Sequence, residues 1–189
     1  MTSATMKSAS IKPTNAKNIP AAPVANDTDF EHNDHVVYPA HGVGRIEGIE
    51  TQTIGGIEVK LYSIVFEKDR MRLKVPVQKA TTAGLRRLST EDRLKDALNT
   101  LKGRSRNKRT MWSRRAQEYE TKINSGNPIA IAEVLRDLRR PKDDNEQSYS
   151  ERQIYQSALK RLAREVAAVE NISEDKAAQR LETVLQDAA

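Results

Sequence analysis

The sequence predicts an α+β chain: a small, strongly bent sheet or barrel, followed by a compact bundle of about five helices. Three observations predict it. Across residues 30–88 apolar side chains recur at period two and are broken by glycine and proline turns. From Ser89 onward the period becomes helical. The excess positive charge is concentrated in one segment near the start of the helical half. Residues 89–125 carry ten basic and five acidic residues, against nine and seven in 30–88 and ten and twelve in 126–189.

Residues 1–29 are rich in Ser, Thr, Ala, Asn and Pro, carry Lys7, Lys12 and Lys17, and show no apolar period. They read as a disordered tail. In 30–88, His35-Val36-Val37-Tyr38-Pro39 is a short strand closed by proline, and Ala40 to Gly44 is a glycine-bearing turn. Val43 to Glu50 reads as a second strand, with a hairpin turn at Gly55-Gly56. From Ile57 to Phe66 the alternation gives way to apolar residues on both sides, so this strand is expected to become buried on both faces. Met71, Leu73 and Val75 alternate with Arg72 and Lys74 until Pro76. Four or five such strands, over about 55 residues, lie near the lower limit for a self-standing core.

In 89–189, Ser89 to Asp92 resembles a capping box before the stripe Leu94, Ala97, Leu98 and Leu101. Gly103 and Asn107 break the chain in the basic segment, and the second helix carries Trp112 and ends at Ser125-Gly126. Pro128 opens a third helix, and Pro141 follows it. Residues 142–147 read as a polar loop, Ser148 with Glu151 opens the fourth helix, and Ser173 caps the fifth. Helices of about 11–20 residues with short loops make a bundle.

The chain has no cysteine. That excludes disulfides, cysteine-ligated zinc and cysteine nucleophiles, and fits a reducing cytoplasm. No apolar run is long enough to span a bilayer, and no secretory h-region is read.

Trp112 is the sole tryptophan, and from Lys102 to Arg115 there are seven basic residues and no acidic one. An aromatic among cations suits a nucleic-acid backbone, with the indole free to stack on or wedge against a base. Candidate DNA contacts are Trp112, Arg114, Arg115, Arg109 and Lys108. The alternative is packing: Trp112, Ala116, Tyr119 and Ile123 share one helical face. Trp112 stands at the helix start, where that face is only partly covered and where phosphate is favoured.

Other chemistry is thinly represented. His35 and His41 flank a strand, but no carboxylate is spaced to complete a metal site with them. Gly42 and Gly44 lack the third glycine and following helix of a phosphate loop. No hydrolase, kinase or nucleotide-binding pattern occurs, so neither an enzyme nor a cofactor is expected.

Several segments together carry a family likeness. Val36-Val37-Tyr38-Pro39, His41-Gly42-Val43-Gly44, Gly48-Ile49-Glu50, Met71-x-Leu73-x-Val75-Pro76 and Gly84-Leu85-Arg86 resemble the amino domain of the CarD/CdnL transcription regulators. Trp112-Ser113-Arg114-Arg115 and Ile131 to Leu138 resemble that family's carboxy domain. The likeness covers about 30–185, and its amino half also resembles the polymerase-binding module of transcription-repair coupling factors.

The resemblance implies a Tudor-like β-barrel domain at 30–88 that docks on the β-subunit lobe of bacterial RNA polymerase, and a helical DNA-binding domain at 89–189. It implies that Trp112 wedges into the minor groove at the upstream edge of the melted promoter, with Arg114 and Arg115 as the motif's cations, so that the open complex lasts longer. On the polymerase side it implies Ile54, Lys74 and Pro76, with Gln52 where some relatives carry arginine. Asn33 replaces the usual glycine before Asp34, and the tail is an extension of the family pattern. A cytoplasmic, nucleoid-associated monomer is expected. A free-standing DNA-binding or architectural protein is the competing class, to be separated by whether polymerase is retained. A Tudor-type ligand cage would need Phe30, Tyr38, Tyr62 and Phe66 to be open. The terminal Ala188-Ala189 resembles tails recognised by ClpXP-type proteases.

Overall fold

The computed structural model describes residues 29–105, 110–139 and 148–188. The tail up to residue 28, the breaker Asn107, Lys108, Arg109, the loop 142–147 with Pro141, and Ala189 lie outside them.

Five antiparallel strands form one sheet in the order β4-β3-β2-β1-β5. They are β1 His35–Tyr38, β2 Gly42–Ile54, β3 Ile57–Phe66, β4 Met71–Pro76 and β5 Arg86–Arg87, with a 3-10 turn at Val77–Lys79. The outer strands β4 and β5 do not pair with each other, so the expected barrel is an open, loose one. Gly55 and Gly56 both take positive φ, the requirement of a tight hairpin turn. Strand β2 runs four residues beyond the expected end at Glu50. Thr51, Gln52, Thr53 and Ile54 pair with Lys60, Val59, Glu58 and Ile57 in an exposed two-stranded arm. Ladder bonds directed by the turn hold that arm, and burial does not. Strand β3 is exposed in the arm and buried on both faces from Leu61 to Ile64, as its pattern predicts.

A bulge between Ile46 and Gly48 resets the alternation of β2. Before it Ile46 faces inward beside Ile64; after it Gln52 and Ile54 share the outward face with Val59 and Ile57. One inserted residue moves every later side chain to the opposite face. Phe30, Val36, Ile46, Tyr62, Ile64 and Phe66 form the sheet's core.

The helices are α1 Glu91–Leu101, α2 Trp112–Asn124, α3 Pro128–Leu138, α4 Tyr149–Glu170 and α5 Glu174–Asp187. The cap of α1 is Thr90, one residue after the expected Ser89. The Ser89 N–H instead donates to Glu165 Oε1 at 3.1 Å. Asn127 caps α3 ahead of Pro128, Ser148 and Glu151 close a capping box on α4, and Ser173 caps α5. At 22 residues α4 is longer than the pattern predicts. It forms the spine of the bundle, packing on α2, α3 and α5. Leu101, Leu135, Leu162, Val166 and Leu181 are among the core side chains.

Helix α4 also holds the sheet. Both carboxylate oxygens of Glu165, whose side chain is 3% exposed, accept from Arg86 of β5 at 2.8 and 3.0 Å. Arg86 donates as well to the Gly126 carbonyl between α2 and α3. One turn earlier Arg161 donates to the carbonyls of Pro39 and Ala40. Arg164 meets Asp69 in a two-bonded pair at 3.1 and 3.2 Å. Residues 161, 164 and 165 thus put three charges of one helical face on the sheet. Burial lowers the pKa of Arg161, and the hydrogen bond from Arg164 lowers that of Asp69.

Candidate functional site

Two surfaces bear the residues singled out by the sequence. The first is the N-terminal tip of α2. Its N-cap is Met111, whose side chain makes no capping hydrogen bond, and the first turn holds no acidic residue. The positive end of the helix dipole is therefore neither capped nor neutralised by a local side chain. Along α2 the face Trp112, Ala116, Tyr119, Ile123 is partly exposed at its first two positions and buried at the last two. Trp112 packs on the helical core without being enclosed. Its ring lies 6.4 Å from Tyr119 at 56°, and the Arg115 guanidinium sits over it at 5.3 Å. Burial pushes the Tyr119 phenol pKa up.

The two motif arginines part ways. Arg114 is exposed. The side chain of Arg115 is 20% exposed and lies 3.8 Å from Glu151 of α4. Its Nε is buried with no hydrogen-bond partner among the described residues. Arg115 is thus held between the indole and a carboxylate, while Arg114 is open to solvent. Lys102 and Arg104 are exposed nearby in sequence. Lys108 and Arg109 fall outside the described residues.

The second surface is the outer face of the sheet. Strand pairing sets Ile54 opposite Ile57, Gln52 opposite Val59, Leu61 opposite Pro76 and Ser63 opposite Lys74. Side chains on directly paired residues point to the same face. Gln52, Ile54, Lys74 and Pro76 therefore share one face across β2 and β4, with β3 between them. Lys74 is engaged by Glu50 at 2.6 Å, and next to it Arg72 pairs with Glu47 at 2.9 Å. Toward the hairpin tip the face becomes apolar, with Ile54 58% and Ile57 69% exposed. Ile57 was absent from the expected set. Its signal was available in the two-residue turn, which makes it the cross-strand partner of Ile54. Strand β4 is a sheet edge.

The remaining candidates resolve into packing. Phe30, Tyr62 and Phe66 are buried, so they form no open cage. His41 stacks on Tyr38 at 5.5 Å and tilts against Phe66. Gly44 lies within β2, where a Cβ would come 2.8 Å from the Phe66 ring. Among the described residues no helix is long and apolar enough to cross a membrane.

Two family models match the chain. Residues 30–89 match the model of the CarD-like/TRCF RID domain, and residues 96–182 match that of the CarD C-terminal domain. A candidate transcription factor of Bacillus subtilis (strain 168), YdeB, is 28% identical over 145 residues, covering 77% of this chain and 95% of that relative.

Proposed function

The chain belongs to the CarD-like family of transcription regulators, and from that premise we propose that it docks its sheet on bacterial RNA polymerase and carries the α2 tip to promoter DNA. The observation that carries this reading is the outer sheet face. Gln52, Ile54, Lys74 and Pro76 gather there, with an exposed apolar pair, Ile54 and Ile57, at its end. Exposed isoleucines beside an ordered charged pair favour a protein partner, and the β4 edge offers a partner strand a ladder to join.

At the other end, Trp112, Arg114 and the uncapped first turn of α2 meet the DNA. Melting a promoter unstacks bases at about a few kcal/mol per step. A protein shifts that equilibrium only by binding the open form better than the closed one. An aromatic wedge does so, because its slot exists only where bases have parted. Docking on polymerase raises the local concentration of a tip whose own affinity for DNA is modest. The result is a longer-lived open complex at the upstream edge of the bubble.

The test is a polymerase pull-down with wild type and Ile54→Glu, together with footprinting of an open promoter complex. Retention of polymerase by wild type, its loss in Ile54→Glu with an unchanged melting temperature, and protection at the upstream bubble edge are expected. A wild-type chain that binds DNA but retains no polymerase would instead establish the free-standing DNA-binding class.

A further inference from the structure

Building on that reading, we propose that Met111 is a second apolar contact to the parted bases, entering beside Trp112. Met111 is 79% exposed, the most exposed large hydrophobic side chain among the described residues. It stands at the outermost position of α2, where the chain enters the helix. The apolar staple that folds back on a helix start belongs to the residue before the N-cap, here Thr110, so Met111 at the N-cap itself has no such role. Met111 is absent from the side chains packed on the helical core, whereas its neighbour Trp112 is among them. Trp112 has Tyr119 beside its ring and Arg115 over it. Of the two adjacent residues, the methionine therefore projects further from the domain.

The surroundings select the occupant. No acidic residue occurs between Lys102 and Arg115, and Lys102, Arg104 and Arg114 are exposed. The positive end of α2 is the same point in space as Met111. A projecting apolar group ringed by positive charge fits a polyanion with an apolar interior, which is what a nucleic acid offers where its bases unstack. Methionine is one of the residues that wedge into base steps, and its unbranched thioether adapts to an irregular gap and favours aromatic faces.

The experiment measures open-complex lifetime after a competitor challenge, using the full chain, bacterial RNA polymerase and one promoter. Met111→Ala and Met111→Gln are compared with Met111→Leu, with Trp112→Ala and Ile54→Glu as references. The alanine and glutamine variants are expected to shorten the lifetime about four- to fifteenfold, the scale of losing one or two methylene groups of buried apolar contact. Met111→Leu keeps most of the lifetime, and no Met111 variant changes the melting temperature or the salt slope of DNA binding. Normal lifetimes for Met111→Ala and Met111→Gln, while a reference variant shortens it, overturn the Met111 contact alone. A leucine variant as short-lived as the alanine one, or losses that track melting temperature, overturn it as well. If neither reference variant shortens the lifetime, the proposed function fails and this inference fails with it.

Discussion

Replacing Glu165 with alanine should destabilise the whole chain, and the size of the loss follows from its surroundings. The carboxylate accepts two hydrogen bonds from Arg86 and one from the Ser89 N–H, all at 3.1 Å or less, with 3% of its side chain exposed. Removing one member of a buried pair leaves its partner uncompensated and costs about 3–5 kcal/mol, against about 0–1 kcal/mol for an exposed pair. At about 2–4 °C per kcal/mol for a chain of this size, the melting midpoint should fall by roughly 6–20 °C. The double variant Arg86→Ala, Glu165→Ala should lose less than the sum of its single variants, by about 0.5–3 kcal/mol. Urea unfolding followed by the fluorescence of the sole tryptophan, Trp112, and by far-UV circular dichroism measures all three. A Glu165→Ala loss of under about 1 kcal/mol would refute the reasoning, because the pair would then be behaving as a solvated one.

Three further outcomes are expected. The pKa of Asp69 is lowered chiefly by its hydrogen bonds from Arg164. Its stabilising contribution is therefore present above the ordinary carboxylate range and lost as pH falls through the depressed folded value. The stability advantage of wild type over Asp69→Asn, measured as a difference in urea midpoints, should accordingly shrink between neutral pH and pH values below the usual aspartate range. Arg114→Ala should leave the melting temperature alone and flatten the salt dependence of DNA binding by about 0.9 per lost phosphate contact. Arg115→Ala, which removes the cation over Trp112 and one partner of Glu151, should lower the melting temperature as well.

The regular elements were legible because their signals are local. Gly55-Gly56, Pro128, Ser173 and the Ser148–Glu151 pair each mark a turn or cap through residues within a few positions of one another. What escaped the sequence depends on distant residues. The α1 cap moved to Thr90 while the Ser89 N–H is taken by Glu165, 76 positions away. Strict alternation along β2 would have put Ile54 on the same face as Ile46; the bulge at Glu47 reverses it, and its one local signal, the isolated Gly48 inside a strand pattern, does not by itself fix where the extra residue sits. The motif Trp-Ser-Arg-Arg presents its two arginines as equals. In the packed bundle they differ, because Arg115 meets the Trp112 ring and Glu151 of another helix while Arg114 faces solvent. The prominence of Met111 was likewise invisible, since exposure at a helix start is a property of the packed bundle.

Pro39 lies between two glycines at the seam of sheet and helices. A Cβ on Gly84 would come 2.7 Å from Pro39 Cγ, and one on Gly126 would come 3.3 Å from Pro39 Cα. Both glycines have positive φ, so a larger residue meets strain there as well as crowding. The glycine backbones therefore come close to a ring locked in its own φ, and the Arg86, Arg161 and Arg164 bonds cross the same seam beside them. Joined in this way, sheet and bundle resemble the two jaws of a gauge, suited to partners presented at one spacing and angle.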